Sequence, residues 1–497
     1  MMNYLTSKSR SILFSALVAV ISAPQARAGN STLEDEMFGG AQQGATQPQP
    51  TAAKPTQPKK EEKSVQPTQE EQPAQLESRM LTPTALEQKS PETLTLGGRL
   101  ELQTLLTKGK ANSIGDAPLS QSTSAELYLD SRPSDDLRGF AKGAISQRKS
   151  AQAEANGAAP TSALNIDIYE MWVKWGGQRS VFTTVGKQKL KWGAASFWNP
   201  TDFLAVQPKD PFATYDVRPG TNLLKLHMPF EKSGNNLYAL VNFENASKAN
   251  SPTLASRAEL NYGFGDFSGE VTGTVAGGKD QPLRFGLDLS TGLGPVDLVV
   301  ESAWTRKSKQ EFYRRSTNSL GNLAFVVDDR SSKAIAQIVT GIRYDLKYSD
   351  SDTANLSLEY FWNDAGYSDV ALEAYSFVNG QSPRLYLANR YVAANITLIA
   401  PGNFNDSTVL FAGLCNLTDK SWLARASLGN KISTRSSVEF ALAKAGGLGE
   451  FTGGIPNSVA NDVKAAVNLP EPVRSVLDRV SGVQQDWTLS ATARIDL

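Results

Sequence analysis

From Leu94 onward the chain breaks into runs of about ten residues in which apolar and polar side chains alternate, separated by Gly, Asn, Asp, Pro and Ser. Leu94, Leu96, Leu100 and Leu102 alternate with Thr95, Gly97, Arg99 and Glu101, which is a strand with one greasy face. The gaps between the runs sort by parity. Those after the second, fourth, eighth, tenth, twelfth and sixteenth runs are short, among them Pro133-Ser134-Asp135-Asp136, Gly292-Leu293-Gly294 and Lys431-Ile432-Ser433. Those after the third, fifth, eleventh, thirteenth and seventeenth are long, at 148–163, 189–221, 307–334, 364–384 and 446–485. A soluble sandwich has no reason to place its short and long turns at opposite ends, whereas a membrane barrel with a periplasmic and an extracellular rim does. The expected fold is therefore all-β: an antiparallel up-and-down transmembrane barrel of about sixteen to eighteen strands. The short connection at Asp419-Lys420 and the medium one at 400–406 fit least well and leave the lower count open.

The last run supports closure. Trp487, Leu489, Ala491, Ala493, Ile495 and Leu497 alternate with Thr488, Ser490, Thr492, Arg494 and Asp496, and pairing this strand with the first would remove both sheet edges. It resembles the C-terminal targeting strand of bacterial outer-membrane proteins, except that Leu497 stands where that pattern ends in an aromatic; the resemblance implies handling by a barrel-assembly machinery. No repeat of fixed period supports a propeller or solenoid. Lys plus Arg and Asp plus Glu each number 50, so the concentrated basic surface of a nucleic-acid partner is missing. Beyond the first segment no stretch reaches the length of a membrane-spanning helix.

Three regions precede or make up this pattern. Residues 1–28 read as a signal peptide, with Lys8 and Arg10 before the apolar run Ile12–Ile21 and Ala26-Arg27-Ala28 before Gly29. Residues 29–92 form a linker whose stretch 40–90 is rich in Gln, Pro, Glu and Lys and too poor in apolar residues to offset the entropy of ordering. It is expected to be a disordered periplasmic tether, either a plain spacer or an arm for peptidoglycan or a partner protein. Residues 93–497 form the barrel.

The densest chemistry lies in Gly186-x-Gln188-x-x-x-Trp192-Gly193 leading to Asn199-Pro200-Thr201-Asp202-Phe203, just after the fifth run. Asn199 and Pro200 suit a helix start, with Asp202 near its positive end, so a short helix over 200–206 closed by Pro208 is expected within an ordered loop. The stretch resembles a motif of porin-like bacterial outer-membrane barrels with poorly defined substrates, which implies a barrel and passage of solutes or polymers. If the loop folds inward, Trp192, Phe197, Trp198 and Phe203 offer stacking faces at a pore constriction. Lys187, Lys189, Lys191, Lys209, Arg218 and Lys225 outnumber Asp202, Asp210 and Asp216, and six minus three leaves +3, which favours anions. Otherwise the aromatics belong to the interfacial girdle and the lysines meet lipid phosphates or solvent.

Elsewhere the residues suggest scaffold. His227, the sole histidine, lacks companions for a metal site or triad and reads as barrel wall; Cys415, the sole cysteine, reads as a structural thiol. No catalytic, metal or cofactor site is expected. Gly446-Gly447-Leu448-Gly449 and Gly453-Gly454 suggest an adaptable extracellular loop, and Tyr313, Arg314 and Arg315 a solvated one able to meet an acidic ligand. The leading expectation is a channel in the outer membrane of a Gram-negative-type envelope, in contact with its lipid and passing hydrophilic, in the sharper form anionic, solutes. The alternatives are polysaccharide export, a surface adhesin or receptor built on the long loops, and a lipid-acting barrel enzyme, the last disfavoured by the lack of a Ser/His signature.

Overall fold

A computed structural model describes residues 94–109, 115–149, 163–176, 180–207, 209–210, 212, 218–244, 246, 248, 251–264, 267–349, 352–379, 386–447, 449–452, 454–466, 469–481 and 485–497. The signal peptide and the tether lie outside these residues. The strands are β1 (Leu94–Gly109), β2 (Leu119–Ser134), β3 (Leu137–Lys149), β4 (Ala163–Trp175), β5 (Phe182–Gln188), β6 (Thr221–Phe230), β7 (Asn235–Asn242), β8 (Thr253–Phe264), β9 (Phe267–Gly278) and β10 (Gln281–Leu293). They continue with β11 (Val296–Arg306), β12 (Phe312–Thr317), β13 (Leu323–Asp328), β14 (Ile335–Lys347), β15 (Thr353–Asn363), β16 (Arg390–Ile399), β17 (Ser407–Asn416), β18 (Trp422–Ser433), β19 (Ser436–Gly446) and β20 (Gln485–Asp496). Eighteen of them form one antiparallel sheet, and β1 pairs with β20 from Arg99↔Asp496 to Gly109↔Gln485, which closes it into a barrel. The remaining two, β12 and β13, form a separate hairpin inside the long connection 307–334. The higher of the two expected strand counts is the one observed.

Alternation decides the two faces. Leu100, Leu127, Val185, Leu287, Leu358, Phe440 and Leu489 stand exposed on the outside, while Arg99, Glu126, Asp288, Glu359, Glu439 and Thr488 are buried on the inside. Such a continuous apolar exterior is far larger than a soluble surface carries, and it suits a bilayer. Among the described residues no helix is long and apolar enough to cross a membrane.

The rims differ as the gap lengths require. At one rim the connections are short, the longest being 400–406; at the other stand 189–220, 307–334, 364–389 and 447–484. Asp419-Lys420 and 400–406 obey the parity after all, as a tight turn on the long-loop side and a wider one on the short-turn side. Among the described residues three α-helices lie in the long connections: α1 (Val370–Asn379), α2 (Asn457–Lys464) and α3 (Glu471–Val480). Pro470 precedes α3 and Pro472 occupies its first turn, where a missing N–H costs nothing, which is how the two prolines split this segment without abolishing its helices.

The β12–β13 hairpin and the three helices bury Tyr313, Phe325, Tyr375, Ile455, Val463 and Leu477 against one another, making an ordered cap. Two expectations are corrected here. Tyr313 is buried rather than solvated, stacked edge-on to Tyr375 at 5.0 Å, and Arg315 pairs with Asp369 at 3.1 Å. The glycine-rich stretch after β19 is not an open loop: Glu450 N donates to Asp419 Oδ2 at 2.7 Å, and Phe451 and Thr452 are buried. A glycine count registers conformational freedom but not the carboxylates waiting on the neighbouring turn.

Candidate functional site: a loop held across the lumen

The connection 189–220 leaves β5 and turns inward. At its far end Gly220 N donates to Tyr169 O at 2.8 Å and Thr221 Oγ1 to Leu204 O at 2.7 Å, so both limbs are tied to the wall beside β4 and β6. Between these anchors the loop reaches strands on the other side of the barrel. Glu301 of β11 accepts from Ala195 N, from Asn199 Nδ2 at 3.0 Å and from Thr201 Oγ1 at 3.1 Å. Glu359 of β15 accepts from Ser196 N and from Phe197 N at 2.9 Å. Glu301 lies five residues from the long-loop end of β11 at Arg306, roughly 17 Å down the strand at ~3.3 Å per residue, so the loop descends well below the rim.

Cations of the wall complete the attachment. Arg343 Nη2 donates to Ala194 O, Arg284 Nη1 to Phe203 O at 2.9 Å, and Arg425 Nη1 to Phe212 O at 2.8 Å. Wall carboxylates thus take the loop's amides and wall guanidiniums take its carbonyls. A loop lacking regular structure has its backbone groups unpaired, and burying them without partners would be costly. Two glycines permit the approach. A Cβ on Gly193, which has φ +94°, would lie 2.6 Å from Asn199 Nδ2 and 2.7 Å from both Glu301 oxygens; one on Gly286 would lie 3.1 Å from Thr201 Cγ2.

The aromatics fill two apolar patches of the inner wall. Phe197, Trp198 and Phe212 pack with Val299, Val339, Phe361 and Tyr391, and Trp198 stacks on Phe361 at 5.3 Å. Trp192, Phe203 and Leu204 pack with Leu223, Leu240, Ala255 and Ala303. Arg257 lies over Trp192 at 5.3 Å and is held by Asp288 at 3.1 Å. None of these four aromatics stands in an interfacial girdle: Trp192, Phe197, Trp198 and Phe203 are all at most 9% exposed.

The charged residues of the stretch divide. Arg218 pairs with Asp202 at 2.8 Å, and Lys209 donates to Ser196 O. Lys189 lies within electrostatic reach of the buried Lys142–Glu126 pair, whose Nζ–Oε1 distance is 2.9 Å, and Lys191 is exposed. Lys187 registers with Met171 and Asn222 on the face that carries exposed Met171 and Val185, so it lies on the outer side of the wall. The +3 counted along the sequence therefore does not form one ring. The expected helix over 200–206 is also absent: Asp202 N and Phe203 N donate to Asn199 O and Thr201 O in tight turns, and Asn199 spends its side-chain amide on Ala195 O and Glu301 instead of capping. Tertiary partners outcompeted the cap.

Sequence reasoning missed Glu301, Glu359, Arg284, Arg343 and Arg425. Their alternation marked them as lumen-facing, but nothing local pairs a strand carboxylate with an amide more than a hundred residues away. His227 and Cys415 are wall residues: His227 stacks on Tyr238 at 4.5 Å and meets Asn236 Oδ1 at 2.9 Å, and Cys415 is half-buried in β17. Among the described residues no group of His, Cys, Asp and Glu is placed to hold a metal.

No family model and no curated protein sequence matches the chain. Among solved structures it is similar to OccAB1 of Acinetobacter baumannii, at 10% identity and TM-score 0.47 over 82% of this chain and 97% of that one. It is similar also to OccK2 (OpdF) of Pseudomonas aeruginosa, at 11% and 0.46 over 82% and 98%, and to OprB of Pseudomonas putida, at 9% and 0.41 over 82% and 94%. At such low identity and scores below 0.5, these likenesses carry no weight in assigning a function.

Proposed function

We propose that the chain is a porin-like channel of the outer membrane in a Gram-negative-type envelope, passing small hydrophilic solutes past the loop 189–220. The observation that carries this reading is a closed barrel of eighteen strands, apolar outside and polar inside, with a loop bound to the inner wall through Glu301 and Glu359. Barrels of this size enclose more space than their own side chains fill, and a loop fixed partway down narrows what remains. Translocation by this route needs only width, charge and stacking surfaces, with no covalent step. The constriction is assigned to Lys189, Lys191, Trp192, Phe197, Trp198, Asp202, Phe203 and Arg218, with Lys187 reassigned to the outer wall.

The anionic refinement narrows accordingly. With Arg218 and Lys209 engaged, exposed Lys191 is the cation of loop 189–220 from which an anion preference would arise. Export of a polysaccharide would require the loop to leave its wall partners, which favours small solutes. The tether 40–90 fits the periplasmic side, because β1 begins at the short-turn rim; there it would reach peptidoglycan or a partner protein.

The test is a planar bilayer. Purified full-length protein is expected to give stepwise conductance, with a reversal potential in a salt gradient reporting the charge preference. A silent bilayer with correctly folded protein overturns the channel, and a clear cation preference overturns the anionic refinement.

A further inference from the structure

The outer wall carries a groove of about 860 Å³ at the long-loop rim, lined by Leu254, Ser256, Val275, Gly277, Leu283 and Arg306 and overhung by Lys307, Ser331 and Ser332. Its position follows from register. Leu254 faces Gly277 across β8–β9, and Leu283 faces Arg306 across β10–β11. Leu254, Val275 and Leu283 are exposed on the apolar outer face, at 56%, 40% and 38%. The groove exists because Gly277 adds nothing to that face: a Cβ there would sit 3.2 Å from Leu283 Cδ1.

The groove is polarised along the barrel axis. Its lower part is hydrocarbon and runs on into exposed Phe285 and Leu287. At its upper edge Arg306 and Lys307 are exposed, and neither has a hydrogen-bond or ion-pair partner among the described residues. No carboxylate lines it. Nearby Arg330 is already engaged by Asp328 at 2.7 Å, and Asp329 accepts from Ser331 N at 2.9 Å and from the Ser331 side chain, which leaves Ser332 as the hydroxyl facing the groove. Cations and a hydroxyl above an apolar trough at the membrane interface complement one amphiphile: a lipid whose phosphate sits at the rim and whose acyl chain lies down the wall. A free anion would use only the upper half.

We propose that this groove is a specific site for a phosphorylated membrane lipid. The phosphate meets Arg306, Lys307 and the Ser332 hydroxyl, and the acyl chain lies over Gly277 between Leu254 and Leu283. The site lies on the outside of the wall, so it stands or falls separately from the channel reading.

The experiment is native mass spectrometry of the full-length protein in neutral detergent, titrated with phosphatidylglycerol, with phosphatidylcholine and with inorganic phosphate as competitor. The expected result is one saturable phosphatidylglycerol adduct, weakened by about tenfold or more in R306E/K307E, and weakened also by G277L, which fills the trough. Both variants are expected to keep wild-type conductance and heat-modifiable mobility, the sign of an intact barrel. Equal retention of the two lipids, or an adduct unaffected by R306E/K307E in folded protein, overturns the proposal. Full displacement by millimolar inorganic phosphate also overturns it, because it would show a bare anion site.

Discussion

Removing Glu359 should loosen the loop that crosses the lumen. The carboxylate accepts two backbone N–H groups, those of Ser196 and Phe197, and it is 1% exposed. Hydrogen bonds to a charged acceptor contribute about 1.5–3 kcal/mol each, so Glu359→Ala costs the docked loop about 3–6 kcal/mol. At ~1.4 kcal/mol per tenfold, the ratio of docked to undocked loop falls by roughly 10² to 10⁴. Glu301 and the aromatic packing remain, so the single variant should show brief excursions to a larger conductance. The double variant E301A/E359A, which removes both carboxylates, should occupy that larger level persistently. The assay is single-channel recording at about 1 M salt, where a Debye length of ~3 Å suppresses the direct effect of the lost charges on ion flow and leaves the change in width. Glu359→Gln should fall between, since it keeps one acceptor oxygen but turns an amide donor towards two N–H groups. If the folded double variant conducts with wild-type amplitude and noise, the loop is not held by these carboxylates or does not narrow the path.

The cap should respond to pH. Burial pushes the Glu373 carboxyl up to about 9 and Glu450 up to about 7, and Asp419 beside them is raised too, all chiefly by desolvation. A carboxyl raised in the folded state contributes stability that is full below its unfolded value, 4.5 for the two glutamates, and is lost as pH rises through the folded values. Amide exchange in α1, corrected for intrinsic rates, should therefore show protection falling between pH 4.5 and about 9, and Glu373→Gln should flatten the profile; protection that rises with pH contradicts the assignment. Gly193→Ala should displace the loop, because its φ of +94° and the Glu301 oxygens 2.7 Å from a Cβ leave no room, at about 1–3 kcal/mol for the backbone strain alone. Gly273→Ala, with nothing within 4 Å, is the matched control, and equal limited proteolysis of the two variants would count against the close approach.

The barrel was legible in the sequence because each strand exposes one face to hydrocarbon and alternation records that directly. Loop parity was legible for a related reason: each rim imposes its own length on every connection. What escaped was whatever depended on partners remote in sequence. The turn at Asn199 has the local chemistry of a helix start, yet Glu301 offers that amide a buried carboxyl oxygen and the helix does not form. Trp192 and Trp198 look the same in sequence whether they meet lipid headgroups or, as here, Arg257 and Phe361. The hairpin β12–β13 was hidden inside a long connection because its strands are six residues each and belong to no barrel neighbour.

The ion pairs near the barrel seam connect closure to the loop. Arg494 of β20 holds Glu101 of β1 at 2.9 Å and Glu439 of β19 at 3.1 Å; Glu439 holds Arg425 of β18 at 2.6 Å; Arg425 donates from Nη1 to Phe212 O at 2.8 Å. The chain of charges therefore begins on the strand that closes the sheet and ends on the loop that crosses it. Each member is 4–7% exposed, so removing Arg494 would leave Glu101 buried without its guanidinium, a loss much larger than that of a surface pair. This makes Phe212 a point at which the first and last strands reach the loop. Its register is written in the inward-facing residues of β11, β15 and β18 as much as in its own sequence. Changes to those wall positions should therefore alter conduction even where the loop sequence is untouched.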